Sequence, residues 1–456
     1  MQLPEDFINR MKNMLQDEAE AFFAAYQDDK ATGLRINPLK ISAESFKNIS
    51  PFPIENIPFC STGFYYNPAD EPGKHPYHQA GLYYIQEPSA MFVAEVVNAE
   101  PGERILDLCA APGGKSTQIA GAMKNQGLLV TNEIHPKRVK ALSENIERLG
   151  VSNAIVTNES PDKLAKHFQG YFDKIVVDAP CSGEGMFRKD PEAVQYWSQE
   201  HVNHCASLQK DILESAYLML KSGGILVYST CTFAPEENEQ TIEKFILKHN
   251  DMSLLPIAKM HGISNGKSEW SGSNSDTLSL TARLWPHLLK GEGHFIAKLQ
   301  KNGETIERPI HIAKDTSKKT NINDYRTFEK QTLDINIQQT LHLKNNQLYA
   351  LPDSCPDLTG IKAVRPGLHL GELKKNRFEP NHALAHGLPI DAYKHKVDLS
   401  LTDDSWKKYL RGETLPTGGD RGWCIVTING FPLGWGKEVK GTLKNFYPKG
   451  LRVHVK

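Results

Sequence analysis

Two cysteines of this 456-residue chain stand where chemistry could occur. Cys181 lies in DAPCSG, just after an apolar segment that ends at Asp178, and Cys231 lies in YSTCT, at the end of a second apolar segment. A single cysteine is more often an inert buried residue, by roughly three to one. Two cysteines and an aspartate at equivalent strand ends instead indicate nucleophilic catalysis, in which a thiolate adds to an electron-poor carbon.

A glycine-containing loop, DLCAAPGGKS from Asp107 to Ser116, is the second chemical signal. Its glycines and the amides at the start of the following helix could approach a ligand. The P-loop pattern fails because it needs glycine where Cys109 stands, and the dinucleotide pattern GxGxxG is absent. Glu133 ends the next predicted strand, where an acid suits ribose hydroxyls, although a solvated strand-end acid is about as common. The loop and Glu133 together favour a nucleoside cofactor without phosphates.

Alternating strands and helices from about residue 95 must position these groups. This alternation predicts a mostly parallel, doubly wound sheet with its site at the carboxyl ends of the strands. A late strand at 294–300 is expected to close the sheet. The predicted strands are 103–110, 127–134, 154–158, 173–179 and 223–230, and the predicted helices are 115–124 and 135–149.

The rest of the chain divides by composition. Residues 3–30 have a helical period, and residues 48–78 read as loops with short strands. Residues 301–345 are polar and poor in large apolar side chains, which indicates a boundary. We expect four parts: an N-terminal α+β extension (1–94), a catalytic domain (95–300), a linker with a small accessory domain (301–390), and a β-rich module (391–456).

Composition excludes several classes of protein. A net charge of −1 means that any nucleic-acid surface must be a local patch. Seven cysteines without a CxxC pair argue against a disulfide framework or a zinc knuckle, and they favour a reducing compartment. Neither a signal peptide nor a membrane span is predicted, so a cytoplasmic location is expected. Four histidines could suggest a metal site, namely His75, His78, His287 and His294, but their spacing matches no metal-ligand pattern. No metal site is therefore predicted.

The motifs together resemble the NOL1/NOP2/Sun (NSUN) family of RNA cytosine-5 methyltransferases. DLCAAPGGKS, NEIHPKRV, DAPCSG and YSTCT carry the resemblance, and QEPSAM, PEENE, RLWPH and GEGHF extend it over about residues 33–300. It implies a Rossmann-like methyltransferase fold that binds S-adenosyl-L-methionine. GLHLGELKKNRFEPNHALA, YLRGE and KNFYPKGLR resemble the RsmF type of bacterial members, which methylate 16S ribosomal RNA and end in a PUA-like RNA-binding module.

The resemblance implies a role for each matching residue. Cys231 matches the family nucleophile and Cys181 the cysteine that promotes product release, while Asp178 would contact cofactor and target base. Lys115 would reach the base or the cofactor carboxylate. The cofactor pocket would be lined by Glu133, Asp178 and the loop residues Cys109, Ala110, Ala111, Pro112, Gly113, Gly114 and Lys115.

The implied chemistry explains the cysteines. A thiolate that adds to C6 of cytosine makes C5 able to attack a methyl sulfonium, and a base must then remove the C5 proton. At least one of the two thiols is therefore expected to have a lowered pKa. Where the family often ends its third strand in aspartate, this chain reads Asn158-Glu159-Ser160, so the residue that contacts adenine stays open.

The C-terminal tail suggests where RNA binds. Basic residues with interleaved aromatics suit phosphates and unstacked bases, although a solvated strand face would look the same. A flipped target base is expected. The loop 374–377 could extend the patch. The tail residues concerned are Lys437, Lys440, Lys444, Lys449, Arg452 and Lys456, with Trp435, Phe446 and Tyr447 between them.

Several alternatives remain open from sequence. The resemblance implies that the partner is RNA, with 16S ribosomal RNA or the small ribosomal subunit favoured and transfer RNA as an alternative. A non-catalytic RNA-binding assembly factor is a second class, against which the presence of both cysteines speaks. The sequence does not fix which cytosines are modified, whether naked RNA or a 30S subunit is the substrate, or the oligomeric state.

Overall fold

A computed structural model describes residues 3–189, 192–260, 262–272, 276–304 and 311–452. The N-terminal strands form an antiparallel sheet in the order β2-β3-β1-β4. Phe7, Met11 and Phe22 are buried, as the helical period predicts, and they pack against Phe187 and Trp197. The N-terminal elements are α1 (Glu5–Leu15), α2 (Ala19–Ala25), β1 (Gly33–Ile36), α3 (Ala43–Ile49), β2 (Ile54–Asn56), β3 (Gly63–Tyr66), α4 (Pro76–Gln79) and β4 (Tyr83–Ile85).

The central segment builds the sheet that carries the cysteines. Its elements are α5 (Pro88–Val97), β5 (Arg104–Asp107), α6 (Gly114–Met123), β6 (Leu128–Asn132), α7 (Arg138–Arg148), β7 (Ala154–Thr157), α8 (Pro161–His167), β8 (Phe172–Asp178), α9 (Ala193–Tyr196), α10 (Gln199–Met219), β9 (Leu220–Thr230), α11 (Glu239–Lys248), β10 (Met252–Leu255), β11 (Ser264–Asn265), β12 (Ala282–Leu284) and β13 (His294–Lys301).

The central sheet is doubly wound, which confirms the prediction. Strands β9, β8, β5, β6 and β7 lie side by side in that order, and each pairs in parallel with its neighbours. Helices α5, α6 and α7 cover one face, and α8, α10 and α11 cover the other. Because both faces are covered, the strands are apolar almost throughout, and polar groups stand at their ends.

The C-terminal third forms two further sheets. One has the order β14-β15-β17-β18, and the other has the order β19-β21-β22-β23-β20. Residues after 391 are therefore rich in strands, as predicted. The elements are α12 (Asn323–Thr332), β14 (Leu341–Lys344), β15 (Gln347–Ala350), β16 (Ala363–Arg365), β17 (Leu368–Lys374), β18 (Arg377–Pro380), α13 (His382–Gly387), β19 (Lys396–Leu399), α14 (Ser405–Arg411), β20 (Leu415–Pro416), β21 (Gly422–Ile428), β22 (Phe431–Val439) and β23 (Thr442–Asn445).

The edges of the central sheet differ from the prediction. Strand β13 does not close the sheet, because it lies between β9 and β12 and β11 follows beyond β12. The first four residues of β13 are all buried, which suits an interior strand. At the opposite edge, β16 pairs antiparallel with β7. A segment expected to be linker thus supplies an edge strand, a long-range pairing that local periodicity does not reveal.

The first and last parts of the chain share hydrophobic cores. Leu34 and Phe64 of the N-terminal sheet pack in one cluster with Val426 and Leu433 of the C-terminal sheet. Helix α12 contributes to another cluster that contains Trp435. Removal of residues 391–456 would therefore expose apolar surface elsewhere. Among the residues that the structure describes, every helix is too short or too polar to span a bilayer.

Two aromatic side chains of the tail are core residues, so the expectation that they stack on RNA bases is wrong. Trp435 is 1% exposed and donates its indole N–H to the carbonyl of Asn381, and Tyr447 is 2% exposed. Phe446 is half-buried against Trp423, with ring centroids 4.4 Å apart. Lys456 lies outside the described residues.

Candidate active site

The two cysteine sulfurs meet at the carboxyl edge of the central sheet. Strands β8 and β9 are adjacent and parallel, with Asp178 opposite Ser229, so the turns that follow them converge. The Sγ atoms of Cys181 and Cys231 are 3.3 Å apart, and all seven cysteines of the chain are free thiols. This is the juxtaposition that the sequence predicted.

The pKa of Cys181 is raised, so Cys181 is not the thiol of the pair for which a lowered pKa was expected. The hydrogen bond with Cys231, followed by burial, raises the pKa of the Cys181 thiol well above its usual value. The reason is that a thiolate there would face a second sulfur in a poorly solvated pocket. Cys181 therefore rests as a thiol whose S–H can donate to the Cys231 sulfur.

Lys115 and Asp178 form an ion pair beside the sulfurs. The Lys115 ammonium donates to Asp178 Oδ2 at 2.7 Å, and Ser229 Oγ donates to Asp178 Oδ1 at 2.8 Å. Burial opposes the charge on each partner, but their attraction outweighs it, so the pKa of Asp178 falls and the pKa of Lys115 rises. Both groups are charged at neutral pH. Lys115 also interacts electrostatically with Cys231, which places the pair and the thiol in one site.

The glycine loop turns directly into helix α6. Gly113 has φ +112°, a left-handed conformation that favours glycine, and it caps the helix that begins at Gly114. A Cβ at Gly113 would lie 3.2 Å from Leu142 Cδ1, and one at Gly114 would lie 3.3 Å from the amide of Gln86. The glycines thus let the loop pack against the protein, in addition to the ligand approach that we expected. The first amides of α6 lack helical acceptors and suit a ligand carboxylate.

Arg35 of strand β1 braces this loop, and sequence reasoning missed it. Its guanidinium is fully buried and donates to Gln86 Oε1 at 2.9 Å, to the Gly114 carbonyl at 3.0 Å and to Thr117 Oγ1 at 2.7 Å. The only sequence signal was a charged residue inside the otherwise apolar strand GLRI. The N-terminal sheet therefore helps to hold the loop.

Two carboxyl groups at neighbouring strand ends fit a nucleoside cofactor that carries an amino acid. Asp107 Oδ2 accepts from Ser116 Oγ at 2.6 Å, whereas its buried Oδ1 has no partner among the described residues. Burial raises the pKa of Asp107 to about 7. Glu133 Oε1 accepts from the backbone N–H of His135 at 2.8 Å. An unpartnered oxygen beside the loop suits a ligand amine, and the Glu133 carboxylate suits ribose hydroxyls.

The end of strand β7 is tied to the accessory segment. Asn158 donates both amide hydrogens to the carbonyls of Glu133 and Ile134, at 2.7 and 2.9 Å, and accepts from Lys362 Nζ at 2.7 Å. Glu159 Oε1 accepts from the backbone N–H of Lys362 at 2.6 Å. The Lys163 ammonium also donates to Glu159 Oε1, at 2.7 Å. The side chains of Asn158 and Glu159 are thus both held by contacts within the protein.

A buried group of polar residues was also missed as part of the site. Ser89 Oγ lies 2.6 Å from Glu87 Oε2 and 2.8 Å from His294 Nδ1. Burial, assisted by Lys115, lowers the pKa of His294 to about 4, so its ring is neutral. The group links α5 to β13 beside the Lys115–Asp178 pair. Within the described ranges, no three His, Cys, Asp or Glu side chains converge as metal ligands would.

Comparison with known proteins gives matches along nearly the whole chain. The family model described as 16S rRNA methyltransferase RsmB/F matches residues 94–300. Models of the RsmF N-terminal domain, first C-terminal domain and PUA domain match residues 3–88, 327–388 and 396–453. Ribosomal RNA small subunit methyltransferase F of Vibrio vulnificus is 34% identical over 468 aligned positions, which cover 98% of this chain and 97% of the relative.

The chain belongs to the 16S rRNA methyltransferase RsmB/F family. It is therefore an RNA methyltransferase that depends on S-adenosylmethionine, and its fold is the Rossmann-like methyltransferase fold with an N-terminal extension and a C-terminal PUA domain.

Solved structures agree with the fold of this RsmB/F-family chain. A methyltransferase homologue from Pyrococcus horikoshii is 31% identical, with a TM-score of 0.58, and the match covers 65% of this chain and 95% of that one. NSun6 from the same organism is 24% identical, with a TM-score of 0.57, and the match covers 66% of this chain and 99% of that one. The second likeness shows the fold alone. About a third of this RsmB/F-family chain lies outside either match.

Proposed function

We propose that this protein methylates C5 of one or more cytosines in 16S ribosomal RNA, through a covalent bond between Cys231 and C6 of the target ring. The observation that supports this most strongly is the pair of free sulfurs 3.3 Å apart, beside the Lys115–Asp178 ion pair. Both sulfurs are free thiols, so each is available for chemistry at the carboxyl edge of the sheet.

The residues present divide the work as follows. The Cys231 thiolate adds to C6, and the electron density that reaches C5 allows C5 to form a new carbon–carbon bond. Asp178 is ionised, so it acts as an acceptor that holds the amino group or a protonated N3 of the base. Lys115 keeps Asp178 in place and supplies a positive charge near the ring. S-adenosylmethionine, when bound by the loop 109–115, Glu133 and Asp178, supplies the methyl group as an electrophile.

Release requires that the C5 proton and the sulfur both leave. The electron pair of the C5–H bond restores the ring double bond while the Cys231–C6 bond breaks. The sulfur departs as a thiolate and the proton passes to a base. Cys181 is in hydrogen-bonding contact with the departing sulfur. We therefore assign to Cys181 the task of promoting this step.

Methylation assays with purified RNAs test the substrate. The full-length protein, with labelled S-adenosylmethionine, is expected to label 16S ribosomal RNA, as naked RNA or in 30S subunits, and not transfer RNA. Bisulfite sequencing should then locate the label at particular cytosines. Label confined to transfer RNA would contradict the proposed substrate. Absence of label in all three substrates, from a protein that binds S-adenosylhomocysteine, would favour the non-catalytic assembly factor.

We also propose that the segment 437–452, which contains strand β23 and the turn before it, binds RNA through phosphate contacts. Lys440, Lys444, Lys449 and Arg452 are exposed there, and Lys437 is half-buried with its ammonium 5.3 Å from the Trp423 ring centroid. Because Trp435 and Tyr447 are buried, stacking on bases is not expected from them. This contact therefore supplies affinity and register, and the base is recognised in the cysteine cleft.

Reversing the charge of Lys440, Lys444 and Lys449 to glutamate should weaken RNA binding about 10-fold or more at moderate salt. Each lost phosphate contact also lowers the slope of log K against log salt concentration by about 0.7 to 0.9. Fluorescence anisotropy at several salt concentrations measures both quantities. Substitutions are preferred to truncation, because the C-terminal sheet shares a core with the N-terminal sheet.

A matched control is available on two helices that cover the central sheet. Lys210, Lys244 and Lys248 are exposed on α10 and α11, and their reversal changes the net charge equally. We expect the control to retain RNA affinity within about 2-fold. An equal loss in both variants would show a general charge effect and would contradict an RNA contact at β23.

A further inference from the structure

We propose that Glu237 is a positioning residue that fixes the separation of the two cysteine sulfurs by holding the turns at 181 and 231 together. This inference rests on the proposed covalent mechanism and adds to it a residue that controls release of the product. The described hydrogen bonds of Glu237 include none to either sulfur, so it holds the turns through Ser182 and Thr232. Its charge also helps to raise the pKa of the Cys181 thiol.

Ser182 and Thr232 each directly follow one of the cysteines. Their hydroxyl oxygens are 2.8 Å apart and share a hydrogen bond. The Glu237 carboxylate accepts from the backbone N–H of Ser182 at 3.0 Å, and its second oxygen accepts from the Ser182 hydroxyl. The Ser182 proton is thus used by Glu237, and the Thr232 hydroxyl donates to Ser182. One carboxylate therefore orients the hydrogen bond that joins the two turns.

Glu237 is itself held by neighbouring elements. Gln209 of α10 donates to Glu237 Oε2 at 2.8 Å and to the Pro180 carbonyl at 3.0 Å. The Tyr228 hydroxyl of β9 donates to the backbone carbonyl of Glu237 at 2.7 Å. The carboxylate is completely buried, and no lysine or arginine of the described chain forms an ion pair with it. Burial raises its pKa to about 7.

A buried carboxylate without a cation is costly, which favours a functional reason for its presence. Four donated hydrogen bonds converge on Glu237, two of them from the residue after Cys181. Displacement of a reacting group by about 1 Å can slow an enzymatic step 100-fold. The described hydrogen bonds of Glu237 join it to Ser182, Gln209 and Tyr228 and not to the cofactor loop 107–116 or Glu133. Its loss should therefore affect the cysteine step and leave cofactor affinity unchanged.

The test is Glu237→Gln, which keeps the shape of the side chain but points an amide group at the Ser182 donors. With both cysteines intact, we expect a covalent RNA adduct to accumulate on a denaturing gel and turnover to fall about 10- to 100-fold. The KM for S-adenosylmethionine should change less than about 2-fold. A purely structural loss would lower activity without producing an adduct.

Glu236→Gln is the matched control, because Glu236 accepts from Gln199 at 3.0 Å and has no hydrogen bond to the cysteine turns. It should produce no adduct. Ser182→Ala is a second variant with the same expected sign, and it decides the matter should Glu237→Gln fail to fold. Normal turnover without adduct in either folded variant overturns the proposal.

A further measurement is independent of the covalent mechanism. The thiol oxidant diamide should join Cys181 to Cys231 rapidly in the unaltered protein, because the sulfurs are already in contact. We expect Glu237→Gln to slow this oxidation at least about 5-fold, while Glu236→Gln oxidises at the normal rate. Equal rates would overturn the positioning role. The covalent mechanism is tested separately by Cys181→Ala, so failures of the two proposals are distinguishable.

Discussion

Replacing Cys231 with alanine is expected to lower the rate of methyl transfer by roughly 10⁴-fold or more, because the neighbouring thiol, Cys181, has a raised pKa and stays protonated. That loss corresponds to about 5.5 kcal/mol of transition-state stabilisation. Binding of S-adenosylhomocysteine should stay within about 2-fold of normal, since the loop 109–115 and Glu133 occupy other strand ends. Single-turnover methylation and calorimetric titration measure the two effects.

The matched control for this substitution is Cys205→Ala. Cys205 lies on α10, is buried, and has its pKa raised to about 12 by that burial, so it is chemically inert. Its removal should leave methyl transfer essentially unchanged. Turnover by Cys231→Ala above a tenth of the normal rate would contradict the assignment of the nucleophile.

Replacing Cys181 with alanine is expected to trap the enzyme on its RNA. The nucleophile and the Lys115–Asp178 pair remain, so the adduct forms, but the group in contact with the departing sulfur is gone. A slow band that contains both protein and RNA should appear on a denaturing gel, at least about 10-fold stronger than with the unaltered protein. Its appearance should require S-adenosylmethionine if the methyl group is transferred before release.

The double variant Cys181→Ala, Cys231→Ala provides the control for this experiment. It lacks the nucleophile, so the slow band should disappear while non-covalent RNA binding persists. A band of the same strength in the double variant would mean that another residue is cross-linked. Only free RNA and free protein in Cys181→Ala would argue against the release role of Cys181.

The positions of the reacting groups could be predicted from sequence because each stands at the end of a strand whose pattern is local. Buried runs of apolar residues marked β5, β8 and β9, and the parallel sheet then brought the residues after them to one edge. The contact between Cys181 and Cys231 follows from adjacency of β8 and β9. The positions of the two cysteines relative to each other could therefore be predicted without knowledge of contacts between more distant segments.

Contacts between distant segments could not be predicted in this way. Arg35 braces a loop nearly 80 positions away, and β16 joins an edge strand more than 200 positions earlier in the chain. Neither pairing leaves a periodic signal. Trp435 and Tyr447 alternate with lysines as RNA-binding aromatics would, but a half-buried strand gives the same alternation. In the folded protein both side chains belong to hydrophobic cores. Tyr447 packs in the cluster that joins the N- and C-terminal sheets, and Trp435 packs in the cluster with helix α12.

The pKa of Cys181 illustrates a second limit. The pKa of the Cys181 thiol is raised by the neighbouring sulfur and by burial, and neither cause is visible in the motif DAPCSG. The sequence argument required a reactive thiol and expected a lowered pKa in the pair. In the folded protein, Cys181 is a thiol held against the Cys231 sulfur, which separates the roles of two residues that look alike in sequence.

Mass spectrometry of the trapped Cys181→Ala complex tests the central claim most directly. After digestion with nuclease and trypsin, the tryptic peptide 222–244, whose one cysteine is Cys231, should carry the mass of a methylated cytidine nucleotide. A nucleotide on any other peptide, or an unmodified 222–244 peptide from a complex that survives denaturation, would contradict the account.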